Sequence, residues 1–209
     1  MNKKLIKSNY RHKVSGRNIY IKPISKNDIT IEYVNWLNDN EVNKYLEVRH
    51  VKQNLISIFN YINNIRSKDG CDVFGIYYNK SDLMVGTIGI SHFDKFNKRL
   101  EYGLLIGDKK ARQIGIGFLA TILFYEYIFS EYDIIKIYNP VVDENKNAWT
   151  LVESLGSIRE GILRNHFIFS SGNIKNMYLY GILKDDWLNA KKNLSTLNLK
   201  IKINKLVED

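Results

Sequence analysis

The stretch RQIGIG, residues 112–117, sets a basic residue ahead of two glycines spaced one residue apart. It follows a β-rich run, LEYGLLIGD, and leads into an apolar run, FLATILFYEYIF, so that a helix begins at the glycines. The first turn of a helix leaves main-chain N–H groups without intrahelical partners and carries the positive end of the macrodipole, which is the chemistry of an anion site. Gly115 and Gly117 have no Cβ, so a phosphate oxygen can approach the backbone closely there. These features predict a main-chain cradle for a pyrophosphate formed by Arg112, Gln113, Ile114, Gly115, Ile116 and Gly117, with the fork of Arg112 available for bidentate pairing. Lys109 and Lys110 read equally well as a solvated basic turn.

A cradle of this kind needs a strand before it and a sheet around it. Residues 18–23 alternate as a short strand ended by Pro23, residues 31–37 read as a helix that Asp28 can cap, and residues 54–67 form a second helix. On that second helix Leu55, Ile58, Phe59, Ile62 and Ile65 fall at three- and four-residue spacings, which predicts a core-facing side. Three β-rich runs, 72–78, 84–91 and 100–106, are separated by turn-rich NKSD and DKFNK, the pattern of an antiparallel meander. Helix 116–130 presents Ile116, Leu119, Ala120, Leu123, Phe124, Tyr127 and Ile128 on one side. A strand at 134–142, a short helix at 148–155 ended by Gly156, and a hairpin of 162–169 with 175–183 follow. This order predicts an α+β sandwich with one mixed sheet, and the crossover helix makes the strands on either side of it parallel.

Composition narrows the partners. A chain of 209 residues that is 44% hydrophobic can bury one good core, and two prolines with no Gly/Ser-rich stretch argue against an interdomain linker. The formal charge of +9 favours anionic partners without choosing among them. A single cysteine, Cys71, excludes an internal disulfide and leaves no zinc-like cluster. The basic start MNKKLIKSNYRHK has no apolar segment behind it, and no run of apolar residues is long enough to cross a bilayer. The chain therefore reads as a cytoplasmic protein with no membrane insertion, and the scattered lysines form no nucleic-acid-binding module.

Taken together, these residues resemble the GNAT superfamily of acetyl-CoA-dependent N-acetyltransferases, and within it the ribosomal-protein N-terminal acetyltransferase-like branch, over residues 18–187. Arg112, Gln113, Ile114, Gly115, Ile116 and Gly117 are similar to the family's turn of Gln or Arg, two residues, Gly, one residue, and Gly or Ala. EYGLLIGD resembles its fourth strand, DENKNAWTLVESLG its segment with an Asn ahead of the last helix, and REGILRNHF with YLYGILKDDW the closing hairpin of the branch. The resemblance implies a single domain, 1–187, with a basic tail at 188–209. It also implies a mixed, mostly antiparallel sheet splayed between the family's fourth and fifth strands and flanked by helices on both faces. Acetyl-CoA is the implied co-substrate, with no metal. Its pantetheine arm would pair with the backbone of Leu104, Leu105 and Ile106, its pyrophosphate would sit in the 112–117 cradle, and Asn145 would bond to the arm from the far side.

The implied reaction is direct attack of a neutral amine on the thioester, so a base must first take the ammonium proton. Glu101 matches a carboxylate that several members use, and it reads equally as a surface residue paired with Lys98 or Arg99. His92 is the second candidate, because histidine as a residue type can transfer protons near neutral pH and this one ends the preceding strand near the mouth of the same cleft. The family's usual tyrosine, which helps the departing thiolate, falls at Val152 here, and its usual phenylalanine after the glycine falls at Ser157, so no general acid is named. Leu104 to Ile106 would supply a fixed N–H for the oxyanion. On the acceptor side, WLNDNEVNKYLEVRH resembles acetyltransferases that modify amino sugars of bacterial surface polysaccharides, with Glu47 and Arg49 facing the pocket and Arg49 able to bind a diphosphate. Glu47 and Arg49 read equally as a solvated ion pair. Trp36 and Tyr45 read as pocket wall or core, and His166 sits in a hairpin that borders the acceptor. The expected acceptor is a nucleotide-linked deoxy amino sugar, with a protein N-terminus next and a polyamine third. A non-catalytic acyl-CoA sensor and a monomer or homodimer complete the range.

Overall fold

The computed structural model describes residues 11–16, 18–194 and 200–206. Nine strands pair into one sheet: β1 (Arg11–Ser15), β2 (Ile19–Pro23), β3 (Val73–Tyr78), β4 (Met84–Asp94), β5 (Arg99–Ile106), β6 (Lys136–Val142), β7 (Ile158–Ile168), β8 (Ile174–Leu183) and β9 (Lys202–Leu206). Their spatial order is β7-β8-β6-β5-β4-β3-β2-β1-β9, and every neighbouring pair is antiparallel except β5 with β6. The expected meander is present, and so is the parallel pair across the crossover helix. Helices α1 (Ile31–Asn38), α2 (Asn40–Asn43), α3 (Leu55–Arg66), α4 (Lys109–Gln113), α5 (Ile116–Glu131), α6 (Lys146–Ser154) and α7 (Lys184–Asn193) cover it.

Alternation along β3 assigns the two faces. Phe74 meets Phe124 and Tyr127 of α5 edge-on at 6.2 and 5.5 Å, so Val73, one residue earlier, turns the other way, towards Tyr33 of α1 and Ile58 of α3. The helix α5 is buried nearly all round, including Ile122, Tyr125 and Phe129, which lie outside the one-sided stripe the sequence suggests. Its far side is covered by α7: the Trp187 ring meets Tyr125 at 5.4 Å, and Trp187 Nε1 donates to Glu126 at 2.7 Å. A helix enclosed in this way carries no moment to read, because apolar residues occupy every side.

Four expectations are corrected. Thr30, not Asp28, caps α1, accepting from the Tyr33 N–H at 3.3 Å; Asp28 instead accepts from Ser25 in the turn before. On α3 only Ile58, Ile62 and Ile65 are buried, while Leu55 and Phe59 remain 40% exposed. Residues Lys109–Gln113 form a short helix rather than an open turn. The C-terminal segment is no peripheral tail. Ala190, Leu194, Ile201 and Ile203 pack against the core, and β9 pairs with β1 from Arg11 with Leu206 to Ser15 with Lys202, adding two edge strands that the sequence reading leaves out. Residues 1–10 of the basic start lie outside the described residues.

At the end of β5 the chain turns at Gly107, whose N–H donates to the Val85 carbonyl at 3.0 Å, and the Trp36 indole lies flat against it: a Cβ there would fall 1.9 Å from Trp36 Cδ2. Gly107→Ala forces that ring or the strand end to move, at a cost of about 1–3 kcal/mol from overpacking. The urea midpoint falls correspondingly with an unchanged slope; an unmoved midpoint would remove this packing constraint.

Candidate active site

The parallel strands β5 and β6 keep register for three pairs only, Arg99 with Lys136, Leu100 with Ile137 and Glu101 with Tyr138. Beyond them β6 stays on β8 as far as Val142 with Met177, and β5 stays on β4 as far as Ile106 with Gly86. The strands therefore part within one sheet. The side chain of Asn139 donates from Nδ2 to the main-chain oxygen of Tyr102, taking the place of a ladder bond, and Pro140 has no N–H to extend the pairing. Because the Tyr102 carbonyl faces β6 and successive residues alternate, Leu104 and Ile106 turn their main-chain groups into the gap, whereas Gly103 and Leu105 turn theirs to β4. Of the three residues expected to offer backbone there, Leu105 is engaged by its neighbour strand. Gly103 is solvent-exposed in the middle of the sheet, and a Cβ built on it meets nothing within 4 Å.

Two hollows meet at this edge. A cleft of about 190 Å³ runs between the parted strands, bounded by Leu104, Pro140, Asn145, Leu151 and Val152. A cavity of about 270 Å³ lies under α1 and α3, lined by Tyr33, Tyr61, Thr87 and Ser91 with a largely apolar remainder. Leu46, Gly103 and Leu104 line both.

The expected anion cradle lies beside the cleft, with Gly117 against Leu104 and Leu151 of the cleft wall. Asp108 caps α4 by accepting from the Ala111 N–H at 2.6 Å, and the chain then crosses Ile114 to Gly115, whose φ of +76° is the left-handed conformation that favours glycine. Gly115 is the N-cap of α5 and brings no side chain to cap the N–H groups of Ile116 and Gly117, while the Phe118 N–H donates to the Gly115 carbonyl at 3.1 Å. A Cβ on Gly117 would lie 3.5 Å from both Ile106 Cγ1 and Leu104 Cδ2, which sets the helix start directly over the gap-facing residues of β5. Arg112, Gln113 and Ile114 are exposed around it.

Beside the last closed pair of β5 with β6, the register of β4 against β5 steps from Ile90 with Tyr102 to His92 with Glu101, leaving Ser91 as the extra residue of a bulge. Ser91 Oγ donates to Glu101, at 3.3 Å to its carbonyl and 3.4 Å to Oε1. Burial pushes the Glu101 carboxyl above its ordinary pKa, and the Ser91 bond and nearby His92 pull part of the way back. The ion-pair reading of Glu101 loses its partners, since Lys98 pairs with Asp133 at 2.9 Å and Arg99 with Asp94 at 3.4 Å. His92 is exposed on the adjacent strand.

Residues 18–158 match the family described as Acetyltransferase (GNAT) domain. The chain belongs to the GNAT acetyltransferase family. It is 27% identical over 165 residues to the uncharacterized N-acetyltransferase p20 of Bacillus licheniformis, covering 77% of this chain and 88% of that protein. Its fold matches a GNAT acetyltransferase from Bacillus anthracis with a TM-score of 0.70 at 20% identity, covering 83% of this chain and 99% of the other. It also matches the spermidine N-acetyltransferase of Vibrio cholerae solved with CoA and spermine, with a TM-score of 0.73 at 18% identity over 82% and 99%. The protein is thus an acetyl-CoA-dependent acyltransferase.

The residues of this acetyltransferase fit that co-substrate. The mid-sheet exposure at Gly103, the gap-facing main chain of Leu104 and Ile106, and the side-chain-free helix start at Gly115 offer a strand-like edge that ends in an anion cradle. Asn145 lines the cleft and caps α6, its Oδ1 accepting from the Ala148 N–H at 3.4 Å. On the acceptor side Glu47 lines the cavity mouth with its side chain 85% exposed. Arg49 pairs with Glu47 at 3.4 Å, as the ion-pair reading expects, but its side chain is buried rather than solvated, with further donors engaged by the carbonyls of Ile168 and Leu46. Trp36 is core, and His166 is exposed on β7. Sequence reasoning misses Asn139, Gly103, Leu46 and Ser91; only Pro140, a proline inside a strand beside Asn139, leaves a local sign that pairing stops nearby.

Glu101→Gln lowers kcat by about 10²-fold or more and removes the acidic limb of the rate profile, the size typical of a lost general base. A carboxyl whose folded pKa is raised gives stability below its unfolded pKa and loses it as pH rises through the folded one. The same variant therefore melts higher than the parent at neutral pH, and the difference vanishes in acid. An unchanged kcat removes Glu101 from the chemistry. Gly115→Asp, which sets a carboxylate at the cradle, raises the calorimetric Kd for CoA well beyond Gly115→Ala; equal affinities would refute the cradle.

Proposed function

We propose that this acetyltransferase modifies the primary amine of a compact acceptor whose buried part carries no charge besides that amine, best matched by the ring of a deoxy amino sugar, by direct attack within a ternary complex. The supporting observation is that the cleft and the cavity share Leu46, Gly103 and Leu104, so that a thioester along β5 and an amine under α1 and α3 meet at one bare glycine. Bound acetyl-CoA supplies an activated acetyl thioester. The chain supplies the rest. Glu101, its pKa raised by burial and its carboxylate reached through Ser91 on the cavity wall, takes the proton from the amine. The gap-facing N–H of Leu104 is fixed before charge develops on the carbonyl oxygen. Val152 on the cleft wall offers no proton, so solvent protonates the departing thiolate.

The cavity supports the acceptor class by what lines it. Among the described residues its walls carry hydroxyls from Tyr33, Tyr61, Thr87 and Ser91, the Gln53 amide and one carboxylate, Glu47, with no lysine, arginine or histidine. A sugar ring bearing a methyl group presents matching apolar and hydroxyl surface. A diphosphate finds no cation inside, so the nucleotide of a nucleotide-linked sugar would extend past Glu47 into solvent. A polycation meets a single carboxylate there and a chain of net charge +9 outside.

Thiol release with free and nucleotide-linked deoxy amino sugars, an N-terminal peptide and spermidine tests the class; a preference for spermidine or the peptide overturns it. Gly103→Val tests the junction. Its side chain has room within the protein and suits a strand, so the variant folds and binds CoA, yet turnover falls on the order of 10²-fold because the reacting groups are held apart. Turnover equal to the parent would separate the two hollows functionally.

A further inference from the structure

Arg49 is a buried cation, its side chain 5% exposed, in the 3-10 turn Glu47–His50 on the loop segment between α2 and α3, where it pairs with the exposed Glu47 carboxylate at 3.4 Å. Its Nε and one terminal nitrogen both donate to the Ile168 carbonyl, at 3.1 and 2.7 Å, and the other terminal nitrogen donates to the Leu46 carbonyl at 2.8 Å. The guanidinium lies 3.8 Å from the centre of the Phe167 ring. Ser170 Oγ returns a bond to the Arg49 carbonyl at 3.4 Å, and the ring of Tyr45 meets Phe169 edge-on at 5.9 Å while its hydroxyl donates to the Glu144 carbonyl at 3.4 Å. The loop belongs by sequence to the α1 and α3 side, whereas Phe167, Ile168 and Glu144 belong to the strands and turn beyond the gap. These contacts therefore cross the parted strands, from one half of the sheet to the other.

We infer that Arg49 is a positioning residue, a clasp that closes residues 45–50 over the gap and holds Leu46 as the partition between the donor cleft and the acceptor cavity. The inference rests on the reading that these two hollows receive the two substrates. Charge and geometry select arginine: one carbonyl receives two of its donors, a second receives another, and the flat cation stacks on an aromatic face, which a lysine ammonium cannot reproduce together. Leu46 is fixed through its own carbonyl by the clasp. Opening the clasp uncovers the cleft and releases the wall against which the amine is aligned.

Arg49→Met keeps a stem over Phe167 and removes every donor. In the free enzyme it raises hydrogen exchange at the amides of Leu46, Arg49 and Val51 by about tenfold or more relative to β3 and β4, the scale of losing hydrogen bonds to a charged group. CoA then dissociates faster by a similar factor. With an amino sugar as acceptor, kcat falls while KM for acetyl-CoA moves less, and Arg49→Lys fails to restore either. A double-mutant cycle with Phe167→Leu shows coupling in the CoA dissociation rate. Unchanged exchange at those amides with CoA dissociation within about twofold of the parent overturns the clasp, as does additivity in the cycle or an exchange rise spread evenly over the chain. A parent that binds CoA but acetylates no amino sugar refutes the acceptor reading alone, because exchange, CoA release and the cycle judge the clasp without an acceptor.

Discussion

A strand that loses its neighbour halfway along is the constraint on which this molecule turns. β5 is paired on both sides at Glu101 and on one side from Leu104 onward. Main-chain groups that are neither paired nor hydrated are costly, so an edge opened inside a sheet must be met by water or by a ligand that offers matching donors and acceptors. An extended arm carrying amides can do so as an added strand does. The parting is specified and not frayed: Asn139 ends the pairing with its side chain, Pro140 cannot resume it, and β8 keeps β6 in place by continuing antiparallel to Val142.

The other features follow from that opening. The bulge at Ser91 lies beside the last closed pair, where it turns a hydroxyl towards Glu101 without disturbing the strands beyond. The helix start at Gly115 stands over the far end because β5, α4 and α5 are consecutive in the chain, and the close approach of Gly117 to Leu104 and Ile106 fixes the distance between edge and cradle. The buried hydroxyl pair of Tyr102 and Tyr125, 3.1 Å apart, ties β5 to α5 just where the strand loses β6. Support by α5 thus replaces support by a neighbouring strand.

What was legible in the sequence was local. The glycine pair at 115 and 117 announces a helix start without side chains, and the strand runs 72–78, 84–91 and 100–106 need only alternation and turns to be seen. The residues that depend on distant segments left no such trace. Arg49 and Trp36 have types that suit ligand binding, yet one is claimed by the Ile168 carbonyl on a strand 119 residues away and the other by the bare face of Gly107. Asn139 looks like any polar residue in a strand until its register against Tyr102 is known. β1 and β9 were invisible because each is polar and short, and each is stabilised by pairing with the other at the sheet's edge.

The charge distribution carries the argument about the acceptor one step further. A net charge of +9 draws anions to the surface, and Arg112, Lys109 and Lys110 stand exposed where a diphosphate would arrive. The cavity under α1 and α3 is sparsely charged: Arg49 is bonded to the Ile168 carbonyl and paired with Glu47, and the walls carry that carboxylate, the Gln53 amide and four hydroxyls on an otherwise apolar lining. In the proposed reading the surface charge would draw in the phosphate-bearing co-substrate, and the sparsely charged cavity would be where the acceptor amine gives up its proton. A half-buried Glu101 would suit that division, because the partial loss of solvent that raises its pKa would also strengthen its pull on a proton from an ammonium that has left water beside it.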